Sequence, residues 1–115
     1  MEKTLNIDDK KVRMKSTAGT LYRYRNQFGR DMLKDIISLQ EKLNKVSKGA
    51  EQFNAVDLEL FEKMAWSMAK TADPNTVDIE NWLDEFEAFS IIKILPELTD
   101  LITGNLKQNN ETKNV

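Results

Sequence analysis

From Lys3 to Lys15 apolar and polar side chains alternate. Leu5 and Ile7 share one face, Val12 and Met14 share one face, and Asp8-Asp9-Lys10-Lys11 lies between the two pairs. Successive side chains of a strand point to opposite sides, so period-two alternation around a short polar turn predicts a β-hairpin. Two strands alone are marginal in water, and the apolar face of this pair is expected to lie on other elements.

From Ser16 the period lengthens. Leu21, Tyr24, Arg25 and Phe28 follow the i, i+3, i+4, i+7 spacing of a short amphipathic helix, with Thr17 or Thr20 as its cap. Gly29 stands where a left-handed residue stops a helix. Asp31 is placed to cap a second helix with a broad stripe of Met32, Leu33, Ile36, Ile37, Leu39 and Leu43. Lys42, Lys45 and Lys48 lie toward its C-terminal end, where cations suit the helix dipole, and Gly49 ends it.

Residues 47–56 show no period and predict a loop. Asn54 or Asp57 is expected to cap a third helix, whose Leu58, Phe61, Met64, Ala65, Met68, Ala69 and Ala72 make one face and which closes before Pro74. Thr76 or Asp78 opens a fourth, with Ile79, Trp82, Leu83, Phe86 and Phe89 inward. Ile91, Ile94, Leu95, Leu98, Leu101 and Ile102 form a fifth stripe, in which Pro96 predicts a kink or a restart. The residues after Leu106 are too polar to pack, and 107–115 are expected to be a disordered tail. The fold class is therefore mainly α: about five helices in one compact domain over residues 1–106, with an N-terminal hairpin at about 3–15 packed on them. The 115-residue length suits one domain, and such a chain holds a core unaided.

Composition narrows the chemistry. The chain has no Cys and no His. The first absence removes disulfides, iron–sulfur sites and a thiol nucleophile; the second removes the commonest acid–base group near neutral pH and the commonest zinc ligand. No apolar run approaches the ~20 residues of a membrane span, so no membrane partner is expected. The opening Met-Glu-Lys-Thr lacks the apolar segment of a secretory signal, which makes a cytosolic location the expectation. Asp73 to Glu87 holds six carboxylates and no base, but lacks the loop and glycine of a calcium-binding hand. A solvated helix face accounts for it, so no metal, cofactor or catalytic group is expected and the chain reads as non-enzymatic.

Charge is uneven. Residues 1–50 carry 12 basic and 6 acidic side chains, and residues 51–115 carry 5 basic and 13 acidic. Two oppositely charged ends of one domain explain this; so does a dipolar surface that steers a charged partner or stacks copies head to tail. Tyr22-Arg23-Tyr24-Arg25, with Arg30 nearby, interleaves aromatic and basic residues as single-strand-binding surfaces do. Tyr24 falls on the helix stripe, however, Asp31 and Asp35 follow closely, and no known nucleic-acid reading module accompanies them. Trp66 lies at roughly 80° on a wheel whose apolar face spans about −120° to +20°. It is expected either to cover the hairpin or a loop, or to anchor a partner, since Trp is enriched in binding hot spots.

Three segments go further than periodicity. LYRYRNQFGRDML (Leu21–Leu33), AWSMAKTAD (Ala65–Asp73) and NWLDEFEAFSIIKILPEL (Asn81–Leu98), in this order and spacing, resemble the tail assembly chaperones of long non-contractile-tailed phages and prophages of Gram-positive bacteria. Tyr24-Arg25, Phe28-Gly29-Arg30-Asp31, Met68-Ala69-Lys70 and Trp82-Leu83 through Phe86 carry the likeness, which extends from the hairpin to about Leu106. The resemblance implies a non-catalytic protein that coats the tape measure protein, keeps it soluble and recruits tail tube protein, the latter through a frameshift-extended form. It also implies a place in the host bacterial cytoplasm and absence from the mature virion; self-association is compatible with it. Tyr22, Arg23, Arg25 and Trp66 are the expected partner contacts. The alternative is a small phage or prophage regulatory protein binding nucleic acid through the basic N-terminal half.

Overall fold

Five helices and an antiparallel hairpin make up the described residues. The structure, a computed structural model, describes the backbone of residues 1–114 and the side chains through Gly104. Strands β1 (Glu2–Ile7) and β2 (Lys10–Lys15) pair with Leu5 opposite Val12 and Ile7 opposite Lys10. The turn is Asp8-Asp9 alone, at φ 53° and 63°. Positive φ at both central positions gives the tight connection whose twist matches the strands, and Asp tolerates it better than most side chains. Lys10 and Lys11, expected in the turn, belong to β2.

Local chemistry sets the helix ends. Thr17 caps α1 (Ala18–Phe28) through a reciprocal pair of bonds with Thr20, and Gly29 closes it at φ 68°. Asp31 accepts the amides of Leu33 and Lys34 at the start of α2 (Met32–Ser47). Asn54 and Asp57 satisfy each other's amides at the start of α3 (Ala55–Ala72). The fourth helix is shorter than the stripe suggested: α4 spans Ile79–Leu83, and Phe86 and Phe89 lie beyond it, before α5 (Ile91–Asn114). Both rings still reach the core, Phe89 stacking 5.0 Å from Phe61 and Phe86 lying edge-on at 5.1 Å from Trp82. Pro96 sits inside α5 without a restart; its missing N–H falls opposite the carbonyl of Ile92, an exposed residue. The expected tail at 107–115 lies outside the residues with described side chains, and Val115 outside the described backbone.

Helix α3 is the centre of the packing. It touches β2, α1, α2, α4 and α5, and every residue from Met64 to Ala69 is buried. Its first turn differs: Leu58, expected inward, is 40% exposed. The hairpin lays Leu5, Ile7 and Met14 on the helices. Two lysines on that same face fasten it: Lys3 Nζ reaches Glu97 Oε2 at 2.6 Å on α5, and Lys10 Nζ donates to the carbonyl of Glu85 while lying over the Phe86 ring.

Gly29 offers a direct test of the α1 stop. A Cβ there meets nothing within 4 Å, so only the left-handed backbone resists a side chain. Gly29→Ala is expected to cost about 1 kcal/mol in urea denaturation and Gly29→Asn less, because Asn visits this conformation more readily. Equal stability of Gly29→Ala and the parent would show that the stop does not depend on the left-handed glycine.

Candidate functional site

The four expected contact residues separate when placed in the fold. Trp66 is 4% exposed. Its Nε1 donates to the carbonyl of Val77 at 2.8 Å, and its ring meets Phe28 edge-on at 5.9 Å. It covers the 73–78 loop, the first of the two expectations for it, and seats α1; the alternative of an exposed anchor is corrected. Trp66 lies off the main apolar stripe yet is buried because α3 is enclosed on more than one side. A readable signal was present in the uncharged run Met64-Ala65-Trp66-Ser67-Met68-Ala69, since a helix apolar all round is a buried one.

Arg23 is half-buried, and its Nη1 donates to Thr71 Oγ1 at 2.8 Å. Thr71 also accepts from Thr20 at 2.9 Å and donates to the Ser67 carbonyl at 2.7 Å. Arg23 therefore ties α1 to α3 as part of a polar seam. This corrects its assignment as a free contact and removes one of the cations that a nucleic-acid surface on α1 required.

Tyr24 is fully buried. Its hydroxyl donates to Asp35 Oδ2 at 2.7 Å, and Arg30 donates to the same carboxylate from Nε at 2.8 Å and Nη2 at 3.0 Å. Burial and then the Asp35 carboxylate push the Tyr24 hydroxyl far above the ordinary tyrosine range, keeping it a donor. Burial alone pushes the Asp35 carboxyl up, but the hydrogen bonds from Arg30 and Tyr24 outweigh it and hold it below the usual carboxylate range. The triad fixes the angle between α1 and α2.

On the outside of that elbow the remaining two residues come together. Tyr22 is 61% exposed, and the Arg25 guanidinium lies over its ring at 5.7 Å. Beside them a cleft of about 290 Å³ is lined by Leu21, Arg25, Arg30, Asp31, Met32 and Leu33. Ile37, expected in the core, is 59% exposed one turn beyond Leu33. The result is an aromatic and aliphatic surface edged by arginine, on two capped helices locked by a buried triad. Leu21, Leu33 and Ile37 belong to the stripes predicted from sequence; for Leu33 and Ile37 a position at the margin of the α2 stripe is the available signal.

The acidic stretch 73–87 is used locally: Asp73 Oδ1 accepts the Asn75 amide and Asp78 Oδ1 accepts from Asn81 Nδ2. Among the described residues no three His, Cys, Asp or Glu side chains converge as a metal site, and no helix is long and apolar enough to cross a membrane. Compared with protein-family models, curated proteins and solved structures, the chain matches none.

Proposed function

We propose that this chain is a phage tail assembly chaperone: a non-catalytic protein that binds and solubilises the tape measure protein and helps recruit tail tube subunits in the host bacterial cytoplasm. The sequence resemblance suggests the role. The observation that carries it is the elbow surface: Tyr22 and Ile37 are exposed on the two helices that line a cleft of Leu21, Met32 and Leu33 edged by Arg25, Arg30 and Asp31. A long apolar helix left bare in water aggregates through its own surface. A small partner with one modest apolar patch covers part of such a helix, and many copies along it add avidity from individually weak contacts.

Co-expression tests the role. A tape measure segment produced with this protein is expected to stay soluble in a complex with several copies of it. Tyr22→Ala is expected to weaken that complex by about tenfold, the effect of losing an aromatic hot spot, with no change in melting temperature because the side chain is exposed. Equal aggregation of the segment with and without the protein would refute the role. Full retention of binding by Tyr22→Ala would move the contact surface elsewhere.

A further inference from the structure

Among the described residues neither edge of the hairpin has a neighbouring strand, and its hydrogen bonding shows which groups face outward. Met1 and Ser16 exchange both backbone bonds, at 3.0 Å and 2.8 Å. Doubly bonded pairs recur at every second position of an antiparallel ladder, so they fall at Lys3 with Met14, Leu5 with Val12 and Ile7 with Lys10. Lys11 and Arg13 on β2, like Thr4 and Asn6 on β1, therefore turn their N–H and C=O away from the hairpin. The carbonyl of Lys15, next in that series, lies against the start of α1, 3.2 Å from Thr20 Oγ1.

The two edges border different clefts. Lys11 and Arg13 open onto one of about 390 Å³ whose walls include Val12, Val77, Trp82 and Phe86. Thr4 and Asn6 open onto one lined by Lys93, Ile94 and Glu97, with no aromatic residue. Among the described residues, only the β2 edge combines unpaired backbone groups with a partly aromatic floor.

We infer that the β2 edge is a docking site for an extended peptide segment in which acidic and apolar residues alternate. A strand laid beside β2 pairs its backbone with Lys11 and Arg13, the main source of affinity in strand addition. Its side chains then divide between two faces. One set lies beside the exposed side chains of Lys11 and Arg13, where carboxylates are favoured. Arg13 already meets Glu2 at 2.8 Å, whereas Lys11 has no carboxylate within 4.0 Å among the described residues. The other set enters the cleft over Val12, Trp82 and Phe86. Asp73 and Glu85 on that cleft's wall disfavour further carboxylates there, and its inward lysine, Lys10, is held by the Glu85 carbonyl and the Phe86 ring, so the acidic set is the one beside Lys11 and Arg13. The site lies on the hairpin rather than on the α1–α2 elbow, and does not depend on the proposed function.

The probe is the capped peptide acetyl-Thr-Val-Glu-Val-Glu-Val-Thr-amide, titrated into the full chain and followed by amide NMR and hydrogen exchange. Binding is expected to slow exchange at Lys11 and Arg13 and leave Thr4 and Asn6 unchanged. The same peptide N-methylated at the two pairing amides is expected to bind at least about tenfold more weakly, because each methyl removes one ladder bond. Lys11→Glu combined with Arg13→Glu alters only exposed side chains; it is expected to weaken this peptide and to favour one carrying Lys in place of Glu. No binding, equal binding of the N-methylated peptide, or protection at Thr4 and Asn6 instead would each overturn the inference.

Discussion

Trp66→Ala is expected to destabilise the protein by about 3–5 kcal/mol, the cost of emptying a large aromatic site in a packed core. The change removes the edge contact with Phe28 at 5.9 Å and opens the centre of α3, where the chain from Met64 to Ala69 is buried throughout. Set against a total stability of about 5–15 kcal/mol, this loss is large enough to leave a substantial unfolded fraction near physiological temperature. The indole N–H contributes less. Trp66→Phe removes only the bond to the Val77 carbonyl and part of the ring volume, and is expected to cost less than Trp66→Ala. Urea denaturation of the two variants separates packing from hydrogen bonding. If Trp66→Ala melted like the parent while losing partner binding, the residue would be a surface anchor and its burial in α3 would be wrong.

The contrast between Trp66 and Gly29 shows what a single sequence discloses. Features decided within four or five residues were legible: the Asp31 cap, the Asn54–Asp57 box, the Gly29 stop and the two faces of the hairpin. Each depends on a backbone group meeting a neighbouring side chain, and spacing encodes that directly. What a helical wheel does not encode is how many neighbours surround a helix. For α3 the apolar stripe marked one packed face, while the hairpin, α1 and the 73–78 loop enclosed the rest. The α4 stripe failed differently. Phe86 and Phe89 continue the spacing of Trp82, yet the helix closes at Leu83, and their rings reach the core from the irregular segment before α5.

The candidate site divides along the same line. Tyr22 was accessible to sequence reasoning because it lies off the stripe of a short helix, and Arg25 through its run of interleaved aromatic and basic residues. Arg23 belongs to the same run of aromatic and basic residues, yet its partner Thr71 lies on α3, 48 positions away. Separation of that order hides a contact from periodicity. The Tyr24–Asp35–Arg30 triad was hidden for a related reason: Asp35 looks like a solvent-facing charge until Tyr24 and Arg30 are brought over it.

Asp35 carries the second large effect. Asp35→Ala strips a charged acceptor from the Tyr24 hydroxyl, which has no exposure to water, and is expected to cost about 2–3 kcal/mol. Arg30 contributes less to that cost, because its side chain is 46% exposed and water can replace the carboxylate. Tyr24→Phe is milder, since Asp35 keeps both bonds from Arg30. The pH dependence follows from the lowered folded-state pKa of Asp35. A carboxyl held below its unfolded value, about 3.9 for aspartate, contributes stability that is complete above that value and is lost as pH falls through the folded one. Asp35→Asn removes the charge at nearly constant shape. The stability gap between parent and Asp35→Asn is therefore expected to be full at pH 7 and to shrink as acid protonates the parent's own carboxyl below about pH 4. Denaturation midpoints of both proteins from pH 7 down to pH 2 measure it. A gap that stayed constant across that range would mean that the carboxylate charge contributes nothing to the triad and that Asp35 acts by shape alone.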